Sequence, residues 1–392
     1  MLSTPFSPWP SYTQEEADAV SRVLLSNRVN YWTGQEGREF EKEFAAFCGC
    51  KYAVAVANGT LALDLAFKAL GVGKGDEVIV TSRTFLASVS SIVLSGAKPI
   101  FADVDRNSQN ITADSIKSVL SEKTKAIVCV HLAGWPCEMD PIMELSREYG
   151  LYVIEDCAQA HGATYKSKKV GSIGHVAAWS FCQDKIMTTG GEGGMVTTND
   201  QVLWKAMWSF KDHGKSWEAV YEVEHPPGFR WLHDTFGTNW RMTELQAVIG
   251  RIQLTKMTEW NARRKFNAQK IWDSLRGIKG LRVPPIPSEI GHAAYKCYLF
   301  VEGGVLNAGW NRDRIIAEVV ANGVPCYSGS CSEVYLEKAF DETDFKPTKP
   351  LPVAHELGGS SLMLLVHPTL TDSEIDKTCS VLAEVMSQAT TR

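Results

Sequence analysis

Apolar residues in the first half of the chain come in short blocks. YAVAVA (52–57), EVIV (77–80), KPIFADV (98–104), KAIVCVH (125–131), LYVIED (151–156) and VAAWSF (176–181) are brief and rich in branched or aromatic side chains. Such runs predict strands. Between them the period changes. LALDLAFKAL (61–70), FLASVSSIVLSG (85–96), ITADSIKSVL (111–120) and DPIMELSREYG (140–150) space their apolar positions as helices do. Strand and helix in alternation imply an α/β architecture, a largely parallel sheet with helices on both faces. Ligands of such sheets bind beyond the carboxyl ends of the strands, so functional residues are expected just after each run.

The pattern shifts near residue 243. Residues 243–275 predict one long helix, opened by a capping box of Thr243 and Gln246. Leu245, Ile249, Ile252, Met257 and Trp260 fall along one apolar face of it. VPPIP (283–287) ends that stretch. Strand-like YKCYLF (295–300) and helical NRDRIIAEVVANG (311–323) then predict a smaller α+β unit. The expected division is a large domain at 1–250, followed over 251–392 by a connecting helix and a small C-terminal domain. No internal repeat or low-complexity tract is present.

Composition narrows the class. With 392 residues, 44% hydrophobic and 22% charged, the chain can bury a sizeable core and is not of disordered type. A net charge of −5 leaves no basic footprint, which argues against nucleic acid as a partner. No apolar run reaches bilayer length, and the N-terminus lacks a signal-peptide pattern. The ten cysteines include no CxxC pair, so neither a metal site nor a secreted disulfide framework is expected. Free thiols in a reducing cytoplasm suit that spacing.

Three stretches carry candidate chemistry. In NGTLALDLAFKAL (58–70), Asn58 can cap a helix whose first amides, at Gly59 and Thr60, face any anion; an ordinary capped helix would read the same. In VIEDCAQAHG (153–162), a strand ends on Asp156, with Gln159 three residues on. That carboxylate could hold a cation, a protonated ring nitrogen or a metal, or simply cap the strand; His161 reads as structural. In WSFCQDKIMTTGGEGGM (179–195), Ser180 and Lys185 leave a strand together beside glycines that allow tight turns. Each stretch alone is weak. Together they match pyridoxal 5′-phosphate (PLP), which needs an anion seat, a lysine for its aldehyde and an acid facing its pyridine nitrogen. Phe85, just after a strand, supplies a ring to stack on.

With ANGTLAL, GDEVIVTSRTF, VIEDCAQAHGA, WSFCQDKIMTTGGEGGM, KDHG (211–214) and GTNWRMTELQA (237–247) in this order, the chain resembles the DegT/DnrJ/EryC1/StrS family of PLP-dependent sugar aminotransferases. The resemblance implies an aspartate-aminotransferase-like fold, that of fold type I PLP enzymes. It implies Lys185 as the amine that joins the cofactor aldehyde, Asp156 at the pyridinium nitrogen and Gln159 near the ring oxygen. Gly59, Thr60 and Ser180 would hold the phosphate and Phe85 would stack on the ring. Asn239 would reach the phosphate from a second subunit, which implies a homodimer with shared sites. L-Glutamate would donate nitrogen to a keto sugar. Relatives that dehydrate sugars carry histidine in place of the lysine, so Lys185 favours amino transfer.

Two departures bear on the substrate. TTGGEGG (188–194) has one glycine more than the family's usual wording, and Arg83 stands where relatives carry an apolar residue. Arg83 could grip a carboxylate or be paired within the structure. Between Lys211 and Trp240, Trp217, Tyr221, His225, Phe229, Arg230, Trp231 and His233 mix rings and cations. His225 and Arg230 join Arg83 as candidate sugar contacts. These features resemble members that aminate an eight-carbon keto-deoxy sugar acid, forming 8-amino-3,8-dideoxy-D-manno-octulosonate for lipopolysaccharide. The alternatives are a nucleotide-linked 4-keto-6-deoxyhexose aminotransferase and, in another class, a non-catalytic regulator on the same fold.

Overall fold

The computed structural model describes residues 5–224 and 231–390. Seven strands form the main sheet, in the spatial order Tyr52–Val56, Gly194–Thr198, Val176–Ser180, Tyr152–Asp156, Thr124–Val130, Glu77–Thr81 and Lys98–Ala102. Five of the expected runs align in parallel, with Ile79 beside Ile100 and Ile127, Val128 beside Ile154, and Asp156 beside Ala178. Gly194–Thr198 is antiparallel to both its neighbours. Its glycine-rich start reads in sequence as a turn alone, yet Met195, Val196 and Thr197 are all buried.

The period of two along each strand splits the sheet into two apolar faces. Val54, Val56, Val78, Val80, Val128, Ile154, Ala178 and Val196 pack on one side against Leu63, Ala66, Phe67, Val89 and Trp208 of the helices Gly59–Ala69, Ala87–Leu94 and Gln201–Lys211. Ala53, Ala55, Ala177, Trp179 and Met195 face Phe40, Phe44 and Ala247 on the other. Ile79, Ile127 and Val153 meet Ile116 and Ile142 there.

The long helix spans Glu244–Leu275, and its capping box is formed, with Gln246 N donating to the Thr243 hydroxyl at 3.3 Å. A boundary between 250 and 251 therefore falls inside one continuous helix. Leu245, Ile249 and Ile252 pack beside Ala19 and Val23 of the helix Gln14–Leu25, while Met257 and Trp260 join the core beneath the sheet. Glu244 accepts from the amides of Glu36 (2.5 Å) and Gly37 (3.1 Å), so its carboxylate caps the helix Glu36–Cys48. Past this helix, four antiparallel strands, Leu281–Arg282, Cys297–Val301, Ser361–Leu364 and Cys326–Tyr327 in that spatial order, share a core with Arg312–Ala321 and Asp372–Ala389. Among the described residues no helix is long and apolar enough to cross a membrane.

Candidate active site

The carboxyl ends of the parallel strands open on a cavity of about 930 Å³, closed on its far side by Tyr295, Lys296, Tyr298, Tyr327 and Met363. One end of it is an anion seat. Asn58 caps the helix Gly59–Ala69 by accepting from Leu61 N at 3.0 Å, which leaves the first amides pointing outward. Gly59 lies so close to Ser180 that a Cβ would come 2.6 Å from the serine's own Cβ. At Gly194 a Cβ would meet the Asn58 carbonyl oxygen at 2.2 Å, and Gly194 pairs with both Ser180 and Val56. Only bare backbone lets helix start, serine and the strand Gly194–Thr198 converge.

Asp156 stands at the middle of the cavity floor. Ser88 Oγ donates to one of its oxygens at 2.8 Å and Ala158 N to the other at 3.1 Å, while Thr84 and Ser88 hydroxyls share a 2.8 Å contact. Burial pushes its carboxyl above the usual range, partly offset by the Ser88 hydrogen bond. A buried carboxylate held ready but unpaired with a cation suits a protonated ring nitrogen. Gln159 Oε1 accepts from Ala133 N at 2.7 Å, which turns its amide nitrogen toward the cavity side.

Lys185 closes the arrangement. Its backbone is held twice, Lys185 N donating to Cys182 O at 3.0 Å and Trp9 Nε1 to Lys185 O at 2.8 Å. Its ammonium lies 3.5 Å from Asp184 and 5.4 Å from the Tyr295 ring centroid. Burial raises the Asp184 carboxyl, but the Lys185 charge and the Tyr295 hydroxyl, which donates to it, outweigh that and hold it below its ordinary value. The glycine-rich loop beyond is pinned by Thr188 Oγ1 to Phe181 O at 2.9 Å and Thr189 Oγ1 to Glu192 O at 2.6 Å.

Gly59, Thr60, Phe85, Asp156, Gln159, Ser180 and Lys185 all line this one cavity, and Phe85 presents a ring 72% exposed to it. Arg83 does not. It is 0% exposed, its Nε donating to Gln109 Oε1 (2.8 Å) and its Nη2 to Ser361 Oγ (3.0 Å), so it ties the main sheet to the smaller one instead of facing a substrate. The strand-end turn sends its side chain under the cavity wall. Asn239 is exposed and outside this chain's cavity lining. His225 and Arg230 lie outside the described residues. His161 is packed among Phe44, Trp179 and Phe181, where burial drives its pKa down to about 3.

Ser88, Asp184, Tyr295 and Lys296 escape the sequence reading. His131, Glu155 and Cys157 form a buried group of ligand type. Glu155, however, is committed to His131 Nε2 at 3.0 Å and to the amides of Gly171, Ile173 and Gly174, and His131 Nδ1 to Cys137 N. That network fixes the back of the Asp156 strand.

An anion cradle that a Cβ would fill, a buried acid without a cation and a lysine on a doubly anchored turn are the three supports PLP requires, and the residues fit it. Fold and site thus define a PLP-dependent aminotransferase of fold type I. The chain belongs to the DegT/DnrJ/EryC1/StrS aminotransferase family, whose match spans residues 10–383. It is 37% identical over 362 residues to the GDP-perosamine synthase of Caulobacter vibrioides, covering 91% of this chain and 92% of that one. A crystal structure of an aminotransferase from Psychrobacter cryohalolentis is 63% identical, with a TM-score of 0.97 over 98% of this chain and all of that one. S. venezuelae DesV, solved in complex with a ketimine intermediate, is 30% identical with a TM-score of 0.87, covering 98% and 99%.

Proposed function

We propose that this chain transfers an amino group from L-glutamate to the carbonyl carbon of a keto sugar, with Lys185 as the amine that engages the cofactor aldehyde. The convergence of Lys185, Asp156 and the Gly59–Ser180 cradle on one cavity carries this reading. When bound, PLP supplies an electron sink for the carbon that loses or gains the nitrogen. The chain's own residues do the rest. The helix start, Thr60 and Ser180 would hold the phosphate. Asp156 would keep the ring nitrogen protonated, and Gln159 and Phe85 would contact the ring. Lys185 Nζ would be the base that takes the proton from the donor's Cα and the acid that gives it back. A complete set of these groups weighs against a non-catalytic regulator.

In this proposal the acceptor is an eight-carbon keto-deoxy sugar acid and the product 8-amino-3,8-dideoxy-D-manno-octulosonate, made in the cytoplasm for lipopolysaccharide. The cavity's size supports a bulky polar acceptor. Arg83, fully buried and outside the cavity lining, is not counted among its contacts. Nucleotide-linked keto sugars are the second reading, favoured by relatives named GDP-perosamine synthase and dTDP-3-amino-3,6-dideoxy-alpha-D-galactopyranose transaminase. A homodimer belongs to both readings: Asn239 is exposed, and so are Phe236 and Trp231 nearby. Incubation of purified protein with glutamate and each keto sugar decides between them. Formation of 2-oxoglutarate with the sugar acid alone is expected; turnover of the nucleotide sugar alone establishes the second reading.

A further inference from the structure

A second lysine faces the cavity from its far wall. Lys296 sits one residue before Cys297–Val301, the second strand of the smaller sheet, and its neighbour Tyr295 is tied to the main domain through a 3.0 Å bond from its amide to Ala133 O. Among the described residues the Lys296 ammonium makes no hydrogen bond and no ion pair. Its Nζ lies 4.8 Å from the centroid of the Tyr295 ring. Asp184 is the carboxylate that acts on it, and Asp184 is already engaged by Lys185 and Tyr295. Arg264, buried nearby with Nε and Nη2 unpartnered, adds positive charge, and His161 and His367 are held neutral by burial. The wall beside the reactive lysine therefore carries more cation than anion.

We infer that Lys296 seats the carboxylate attached to the carbon that carries the transferred nitrogen, the α-carboxylate of an amino-acid donor. The inference rests on the aminotransferase reading and extends it to how the donor is selected. Lys185 and Lys296 line the same cavity and the Asp184 charge acts on both, so a carboxylate on the carbon that Lys185 serves comes within the field of Lys296. A sugar acid aminated at the opposite end of its chain holds its carboxylate far from that carbon. An ammonium half-buried and lacking a protein counterion gains most from a ligand carboxylate, because the desolvation has already been met in the fold.

Burial, together with Arg264 and Lys185, lowers the Lys296 pKa to about 8. The seat is charged below that pH and empties of charge above it. Asp184 stays ionised and Tyr295 neutral across this range, and the Arg264 guanidinium, though burial lowers its pKa, keeps its charge throughout.

Glutarate, whose two carboxylates stay ionised from pH 6.5 to 9, is the probe for calorimetric titration of the PLP-loaded protein. Wild type should bind it well below pH 8 and progressively less above. Lys296→Met should weaken binding at pH 7 by about 10- to 100-fold, the loss expected for one charge-assisted contact, and should remove the step near 8. Lys296→Arg should restore affinity and carry it past that step. The two half-reactions separate the sources: the glutamate half should lose affinity and the sugar half should not. Wild-type glutarate binding by Lys296→Met, or a loss confined to the sugar half, overturns the inference. Cofactor absorbance and melting temperature retained in that variant would then leave the aminotransferase reading intact, whereas a wild type that takes up no PLP removes both.

Discussion

Asp156 shows how one side chain trades stability for chemistry. Its folded pKa is raised by burial, so the ionised form is the disfavoured one. The penalty is absent below the carboxylate's unfolded pKa, grows as pH rises toward the folded value and is complete above it. Asp156→Asn removes it, and the Ser88 hydroxyl can turn to accept from the new amide. Cofactor-free Asp156→Asn should therefore melt higher than cofactor-free wild type at pH 7.5, while losing transamination. A lower melting temperature would contradict this reading of the site. Asp156, Lys185 and Gly59 are legible in sequence because each follows a strand end. Ser88 is not, being one serine in a helix with no polar signal of its own. Arg83 misleads for a related reason: residue type announces a cation but not the direction it points, and two polar partners bury it completely.

Elements were legible where apolar spacing alone determines them. The six runs and the long helix follow from period, since each buries a face of fixed geometry. Gly194–Thr198 was hidden because its pairing is set by neighbours on both sides, and its glycine is needed for the close approach to Asn58. The helices Gln14–Leu25 and Glu36–Cys48 carry a signal that went unread, since Ala19 and Val23, and Phe40, Phe44 and Cys48, recur at helical spacing on their buried faces beside the buried carboxylates Glu16 and Glu41. The capping box of the long helix is a separable contribution. Thr243→Ala should lower unfolding free energy by about 1 kcal/mol, read as a shifted urea midpoint with unchanged slope, and leave PLP absorbance as it was. An unchanged midpoint would mean that the cap contributes nothing beyond tertiary packing.

Across the described chain, the cavity lies where strand ends of the main sheet meet the strand Cys297–Val301 of the smaller one, and neither sheet alone supplies the set. The main sheet gives the cradle, the acid and the reactive lysine; the smaller gives Tyr295, Lys296 and Tyr298. Sequence order conceals this, because Lys185 and Lys296 stand more than a hundred residues apart. The substrate is the least legible feature, since His225 and Arg230 lie outside the described residues and Asn239 is exposed and outside the lining of its own chain's cavity. What the whole assignment requires is that one amine, and no other, joins the cofactor. Borohydride reduction of the PLP-loaded protein, followed by proteolysis and peptide mass analysis, tests this directly. A single adduct on the peptide containing Lys185, absent in Lys185→Ala, is the expected result; an adduct on any other lysine, or undiminished amino transfer by Lys185→Ala, would contradict it.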